Sequence, residues 1–436
     1  MLRDIGCASV RDLFADVPAD FHIEQGSLNL PPAMSEAAIV RKFMAASESN
    51  RHAANTRCFL GGGTYHHFIP AAVDYIISRG EFLTAYTPYQ PEIAQGTLQA
   101  LFEFQTMIAR LTGMDIANAS MYEAATATAE AALMARRINR REKVILSASV
   151  NPRYRAVTSN YLSRLSGKVL EVAAGEGFTT DTAALTDALD EKTACVIVQH
   201  PDFYGHVYDL APLRAACDAT GALLVAVFSD ATAFGLMKPP GEFGADIVVG
   251  SGQSLGIPMG YGGPHLGLFT CKQKYLRQMP GRVCGMTTDV NNKRGFVLTL
   301  STREQHIRRE KATSNICTNQ GLMCTAAAAY MSLMGDAGLK SAATRSAAAL
   351  EHLVAGLPAH VTAASGPRYN ETVLSFTDQA GRDRFIAAAG QQRMFAGIPL
   401  EKLEKDAEAR HLLVATTEMI EKDDIADYIK ALEQSR

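Results

Sequence analysis

The sequence predicts an α/β protein with a large, mostly parallel sheet domain followed by a smaller α+β domain. The chain has 436 residues, more than one hydrophobic core normally supports. Between residues 143 and 249, strand-like apolar runs alternate with helix-length segments such as Thr182–Leu189 and Leu210–Thr220, the pattern of a parallel sheet covered on both faces. The strand-like runs are Lys143–Ser147, Lys168–Ala173, Ala194–Gln199, Leu223–Phe228 and Ile247–Val249.

Three regions are expected along the chain. Residues 1–65 form an N-terminal arm, residues 66–320 the large α/β domain, and residues 321–436 the small α+β domain. Within them, apolar spacing and Gly113 predict a helix from Gln95 to Leu111, because glycine commonly ends a helix. Further helices are expected outside the alternating region, namely a short one at Val10–Phe14 and longer ones at Ser35–Glu48, Gly321–Met334, Ser341–Val354 and Glu418–Glu433. A strand is expected at Thr372–Phe376.

Composition excludes several function classes. A net charge of −3 argues against electrostatic capture of nucleic acid or an anionic membrane, and favours a small-molecule or protein partner. The eight cysteines are scattered without a C-x-x-C pair, which indicates reduced thiols in a cytoplasmic enzyme. The N-terminal residues lack the apolar stretch of a signal peptide, and no uncharged apolar run has membrane-spanning length.

The glycine-rich segment Gly241–Thr270 is the most informative part of the chain. A strand delivers a loop in which repeated glycines permit close backbone approach to a ligand or another chain; a complicated turn without a ligand is the alternative. An α/β chain of this length suggests a pyridoxal-phosphate enzyme, which needs a lysine for an imine and an acid for the pyridine nitrogen. Gln253 stands where the lysine would be, and Asp230 follows the preceding strand at a displaced position.

The predicted helix start at Ser120–Thr126 is where such an enzyme would bind a phosphate group. Glu123 puts a negative charge at this point, and an acid in the first turn commonly complements the helix dipole. We therefore expect no phosphate in this chain's own pocket.

A second dense segment, Thr302–Asn319, contains five basic side chains within nine residues: Arg303, His306, Arg308, Arg309 and Lys311. It is either a solvated basic helix or a cationic loop that holds an anion or an acidic subunit surface.

In the turn Thr87–Glu92, Pro88 and Pro91 hold Tyr89, Gln90 and Glu92 in place. This turn is either a simple helix entry or the wall of a substrate pocket. The adjacent His66 and His67 lack metal-ligand spacing, so no metal site is predicted. Gly61–Gly63 lacks the lysine of a phosphate-binding P-loop.

Five segments in order resemble the N-terminal half of the glycine cleavage system P-protein. They are CFLGGGTYHHFIPAAVD (Cys58–Asp74), YTPYQPEIAQGTLQALFEFQTMIARLTGMDIANAS (Tyr86–Ser120), GADIVVGSGQSLGIPMGYGGPHLGLF (Gly244–Phe269), RQMPGR (Arg277–Arg282) and REQHIRREKATSNICTNQ (Arg303–Gln320). The resemblance implies a fold-type I pyridoxal-phosphate architecture and the first chain of a split enzyme. In that family the cofactor-bearing lysine belongs to the second half, with which the glutamine at position 253 agrees.

The resemblance also implies the reaction and the partners. The expected activity is decarboxylation of glycine on pyridoxal phosphate held by a second subunit, followed by transfer of the aminomethyl group to the lipoyl arm of the H-protein, within an α2β2 heterotetramer. Tyr89, Gln90 and Glu92 are expected to line the shared pocket, and Thr313 to reach the partner's cofactor phosphate. Interface or anion contacts are expected from Arg303, His306, Arg309, Lys311 and Asn315.

Two alternatives remain open at this point. The chain is an assembly or regulatory subunit that never touches substrate, or it is a self-sufficient pyridoxal enzyme that uses Lys238 or Lys272. Pocket mutations that change glycine kinetics without disturbing association separate the first alternative from a catalytic role.

Overall fold

The computed structural model describes residues 1–23, 26 and 28–435, which divide into two compact units, Met1–His52 and Ala53–Arg436. The first unit contains two 3-10 turns, Val10–Phe14 and Ala19–Phe21, and helix α1, Glu36–Ser49. Ser35 caps α1 by accepting a hydrogen bond from the Ala38 N–H, as an N-cap serine commonly does. The expected Val10–Phe14 and Ser35–Glu48 helices are therefore confirmed to within a residue.

The second unit contains the remaining helices and all the strands described. The helices are α2 Ala71–Ile77, α3 Gly80–Leu83, α4 Gln95–Thr112, α5 Ala124–Asn139, α6 Pro152–Leu162, α7 Thr182–Asp187, α8 Ala211–Thr220, α9 Gln305–Arg308, α10 Gly321–Ala355, α11 Gln379–Gln391 and α12 Lys422–Glu433. The strands are β1 Arg57–Cys58, β2 Ile116–Ala117, β3 Lys143–Ser147, β4 Val169–Val172, β5 Thr193–Gln199, β6 Leu223–Phe228, β7 Ile247–Ser251, β8 Gly267–Cys271, β9 Val283–Thr288, β10 Arg294–Thr299, β11 Val361–Ala363, β12 Glu371–Phe376, β13 Met394–Phe395, β14 Ile398–Pro399 and β15 His411–Ala415.

A seven-stranded sheet in the order β2-β8-β7-β6-β5-β3-β4 forms the centre of this unit. Strands β4, β3, β5, β6 and β7 are parallel, while β8 and β2 run antiparallel at one edge. Every residue of β5, β6 and β7 is buried, so both faces are covered by packed layers. The predicted α/β class is confirmed, and so is the strand-helix alternation from residue 143 to residue 249.

The C-terminal part of the unit carries a four-stranded antiparallel sheet in the order β11-β12-β15-β14. Helices α11 and α12 pack on it through buried Phe385 and Tyr428, whose ring centroids are 4.8 Å apart. Strand β1 pairs in parallel with β13, which ties residues 57–58 to this region. The predicted regional boundaries at residues 65 and 320 remain predictions.

The helices expected at Gly321–Met334 and Ser341–Val354 are confirmed. They are the two halves of α10, which are separated by a kink at Gly335, a residue with the non-helical angles φ 56° and ψ −169°. This backbone region is almost closed to residues with a Cβ atom, which explains why a glycine marks the bend. The last helix begins at Lys422 instead of near Glu418, because Glu418 is committed to contacts with another segment.

The sheet positions the candidate site. Strand β6 is followed by Ser229 and Asp230, and β7 is followed by Gly252 and Gln253. Because neighbouring parallel strands end at the same edge, Asp230 and Gln253 lie in the crevice at the carboxyl ends of the strands, the usual ligand position in such sheets. None of the helices in the described residues is long and apolar enough to cross a membrane.

Candidate functional site

A small cavity of about 10 Å³ lies at the carboxyl edge of the large sheet, which is room for about one water molecule. It lies between the ends of β5 and β6 and the start of β12. Its lining residues are Tyr65, Gln199, Pro201, Asp202, Gly205, Ser229, Asp230, Tyr369, Asn370 and Glu371. No lysine stands among these lining residues.

Gln253 is buried and serves as a clamp on the loop that precedes α2. Its amide oxygen accepts from the Tyr65 N–H at 2.9 Å, and its amide nitrogen donates to the Tyr65 carbonyl at 3.0 Å. The same nitrogen donates to the Ile257 carbonyl at 2.7 Å. The side chain thus satisfies three backbone groups, and its amide cannot form an imine.

Asp230 is saturated by partners from its own chain. One carboxylate oxygen accepts from the Thr232 N–H and hydroxyl at 3.0 and 2.6 Å; the other lies 2.8 Å from the donating Asn370 amide and 3.1 Å from the His67 ring. Burial alone would raise the pKa of Asp230, but attraction to His67 and these hydrogen bonds hold it below its usual range. Asp230 is therefore a fully ionised, fully paired carboxylate.

Glu371 closes the cavity from the side of β12. Its carboxyl oxygens accept from the Gly62 N–H at 2.6 Å and from the Tyr65 hydroxyl at 2.8 Å. Burial raises the pKa of Glu371 to about 8, opposed by the hydrogen bonds from Gly62 and Tyr65. At neutral pH this group is largely protonated, so it adds little negative charge beside Asp230.

The start of α5 is also occupied. Glu123 caps the helix, and its carboxylate accepts from the Thr126 N–H at 3.1 Å and from the Ala125 N–H. These are the backbone donors that a phosphate group would need at this position. The expected role of Glu123 as a first-turn acid that complements the helix is confirmed.

The residues present do not fit pyridoxal phosphate in this chain's own pocket. The cavity has room for about one water molecule, its acid Asp230 is paired, and the start of α5 is capped by the carboxylate of Glu123. The alternative lysines lie elsewhere: the Lys272 ammonium pairs with Asp246 at 2.7 Å, at the opposite end of β7, and the Lys238 ammonium stands over the Phe243 ring. The geometry thus speaks against a self-sufficient enzyme that uses either lysine.

The predicted pocket residues Tyr89, Gln90 and Glu92 are all exposed and do not reach this cavity. Their turn is nevertheless held firmly, because the guanidinium of Arg282, itself 8% exposed, donates to the Thr87 hydroxyl at 3.1 Å. Their assignment to a shared pocket remains a prediction.

The basic run is not a single helix, so the expectation of a solvated basic helix is wrong. It folds as three short turns, Ser301–Arg303, Gln305–Arg308 and Arg309–Lys311. Arg303 points inward and donates to the Met279 carbonyl and, at 3.1 Å, to the Gly281 carbonyl. The other residues predicted for interface or anion contacts, His306, Arg309, Lys311 and Asn315, are exposed, whereas Thr313 is partly buried.

Arg282 links the turn Thr87–Glu92 to the end of the basic segment Thr302–Asn319. Arg282 reaches Thr87 on one side and the Asn319 side chain, at 3.5 Å, on the other. Arg303 fixes residues 279–281 beneath the basic run. We call the exposed turns 86–92 and 304–315 the open face, since they present polar and cationic side chains outward.

Sequence reasoning missed His67 and Glu418. It considered the His66-His67 pair only as metal ligands, yet the His67 ring is buried between Asp230 and Glu418. The only sequence signal was a histidine in a glycine-rich, apolar segment, which does not by itself identify a partner.

Comparisons with solved structures define the class of fold. The chain matches a sphingosine-1-phosphate lyase from Burkholderia pseudomallei K96243 with a TM-score of 0.67, at 15% identity over 94% of this chain and 93% of the other. It matches a C-DES mutant that carries glycine covalently linked to its PLP cofactor with a TM-score of 0.63, at 15% identity over 87% and 96% of the two chains. The chain therefore has the fold-type I architecture of pyridoxal-phosphate-dependent enzymes, as expected.

Closer comparisons define the family. A glycine decarboxylase (P-protein) of the glycine cleavage system, solved in inhibitor-bound form, matches with a TM-score of 0.90 and 41% identity over 100% of this chain and 97% of the other. A relative from Sphingopyxis alaskensis, named probable glycine dehydrogenase (decarboxylating) subunit 1, is 50% identical over 100% of this chain and 96% of its own length. One of the same name from Erythrobacter litoralis is 47% identical with the same coverage.

The family described as Glycine cleavage system P-protein matches residues 1–432, and the chain belongs to this family. The resemblance inferred from the five sequence segments is confirmed.

Replacing Gln253 by Leu is expected to lower the free energy of unfolding by about 2–4 kcal/mol, because it leaves buried backbone groups of Tyr65 and Ile257 without partners. Denaturant unfolding of the full chain measures the loss. The control is Gln99→Leu, whose amide reaches only Glu103 on the surface and whose loss should change stability by less than about 0.5 kcal/mol. Equal stability of the two variants would contradict the clamp.

Proposed function

We propose that this chain is the first subunit of a two-chain glycine decarboxylase and acts only with a second, lysine-bearing subunit. The observation that carries the proposal is a fold-type I pocket with a glutamine at the imine position and space for one water molecule. Pyridoxal phosphate is then held by the second subunit and supplies the electron sink for decarboxylation. The names of the relatives, which specify a subunit 1 of glycine dehydrogenase, support the same division.

The chain's own contribution is assigned to the open face. Tyr89, Gln90 and Glu92 stand exposed on a turn fixed by Arg282, so they can project into a pocket completed by the partner. Positioned side chains of this kind bind the substrate, orient it and exclude water without forming a covalent bond. The basic side chains of His306, Arg309 and Lys311 favour an acidic surface or an anion on the facing chain.

The remaining partners are those that membership of the family implies. We propose that glycine is the substrate, that the lipoylated H-protein receives the aminomethyl group, and that the active assembly is an α2β2 heterotetramer. We place it in the cytoplasm, where its free cysteines would stay reduced. A purely structural or regulatory subunit is the second candidate, because a closed internal pocket suits that role equally well.

Mixing this chain with its second subunit tests the proposal. With pyridoxal phosphate, glycine and lipoylated H-protein present, the mixture is expected to exchange labelled carbon dioxide with the glycine carboxyl group. Each chain alone should be nearly silent. Exchange by this chain alone, or no gain over the second subunit alone, would contradict the proposal.

Glu92→Gln is expected to reduce glycine turnover roughly 10-fold, because a hydrogen bond to a charged carboxylate in a closed pocket contributes about 1.5 kcal/mol more than the neutral bond that glutamine can make. Association with the second subunit, measured by gel filtration, should not change. The matched control is Glu103→Gln, an exposed glutamate on α4. Normal turnover in the Glu92 variant would remove this residue from the pocket and favour the structural role.

Thr313→Ala is expected to raise the pyridoxal phosphate concentration needed for half-maximal activity roughly 10-fold, because one hydrogen bond to a charged phosphate contributes about 1.5 kcal/mol. Cofactor titration of the reconstituted pair measures this. Thr302→Ala, an exposed threonine in the same segment, is the control. An unchanged cofactor requirement would remove the assignment of Thr313.

A further inference from the structure

The His67 ring lies between two buried carboxylates from distant parts of the chain. Its Nε2 is 3.1 Å from Asp230 and its Nδ1 is 2.7 Å from Glu418. The side chains of the three residues are 2%, 4% and 7% exposed, respectively. We call this set the histidine triad.

The triad joins three structural elements. His67 belongs to the loop before α2, Asp230 follows β6 of the large sheet, and Glu418 follows β15 of the small sheet. Glu418 holds the loop a second time, because its other oxygen accepts from the Phe68 N–H at 2.7 Å. The Thr417 hydroxyl adds a bond of 2.6 Å to the His66 carbonyl.

The geometry fixes the charge of the ring. Both ring nitrogens face carboxylate oxygens, which accept but do not donate when ionised, so both nitrogens must carry a proton. Burial would lower the pKa of His67, but the charges and hydrogen bonds of Asp230 and Glu418 raise it well above its usual range. The other titratable groups around the triad are Tyr65, His66, Tyr330, Tyr369 and Glu371.

A pyridoxal enzyme uses an acid to hold the protonated nitrogen of the cofactor ring. In this chain the acid meets the protonated nitrogen of a planar aromatic ring that belongs to the chain itself, and the space left over is about 10 Å³. We propose that His67 is a built-in substitute for the cofactor ring: an imidazolium that takes the place of a pyridinium on Asp230 and keeps the pocket assembled without a ligand.

His67 is a positioning residue in this account. Without the charge of His67, Asp230 and Glu418 would be buried carboxylates with no cation between them, which would lower the stability of the fold considerably. The loop of residues 61–68, which Gln253 and Glu371 also hold, would then lose its link to both sheets. The inference is independent of the proposed function, because it concerns only how this chain fills its own pocket.

Chemical rescue of His67→Ala in the full chain tests the proposal. The substitution is expected to lower Tm by roughly 5–15 °C, because it breaks a buried charge pair. Added imidazole should restore at least half of this loss, and more at pH 6 than at pH 9, since only the protonated form bridges two carboxylates. Pyrazole has the same size and stays neutral, so it should restore little. Equal rescue by the two compounds, or none by imidazole, would overturn the proposal.

Two controls complete the test. His66→Ala removes the neighbouring half-buried ring, and its stability should not respond to imidazole. In the unaltered chain, nitrogen NMR shifts of the His67 ring should be those of an imidazolium at pH 8.5, with assignment from a His67→Gln sample. A neutral ring at that pH would overturn the proposal even if the alanine variant failed to fold.

Discussion

Two carboxylates, Asp230 and Glu418, are buried where the large and small sheets meet, and a cation from the same chain has to neutralise them. His67 does so, and the loop that carries it is held by Gln253 and Glu371 as well. These contacts occupy the acidic side chains of Asp230 and Glu371 and the glutamine at the edge of the sheet, and the remaining space is about 10 Å³, which is room for about one water molecule. The pocket is a structural junction within a fold-type I architecture, and its residues do not fit pyridoxal phosphate.

The side chains that we propose for the shared pocket lie away from this junction. Arg282 and Arg303 donate hydrogen bonds to backbone and side-chain groups of this chain, and these bonds hold the turns at residues 86–92 and 304–315. The side chains that remain exposed on these turns, among them Tyr89 and Glu92, have few contacts within the chain. A surface that is rigid beneath and polar above is suited to complete a neighbouring active site, which is the role we propose within the glycine cleavage system P-protein family.

The sequence predicted most of the fold because the signals were local. The strands from Lys143 to Ser251 are continuous apolar runs, and Gly113 ends α4 in the left-handed conformation, as its position indicated. The start of α12 was predicted about four residues early, because nothing local reveals that Glu418 turns back toward His67.

The triad itself could not be predicted from the sequence. Its members are separated by 163 and 351 positions from His67, so only the folded chain brings them together. The glutamine at position 253 was recognised as an absent lysine, but its positive role as a backbone clamp required the structure. The roles of Tyr89, Gln90 and Glu92 stay predictions, because these side chains are exposed and none of them lines the cavity.

We propose that this chain depends on a second polypeptide for imine chemistry. Borohydride reduction of the active two-chain complex, followed by peptide mapping of both chains, identifies the lysine that carries the cofactor. We expect a reduced pyridoxyl lysine in the second subunit and none in this chain. A modified lysine in this chain, at Lys238, Lys272 or elsewhere, would contradict it.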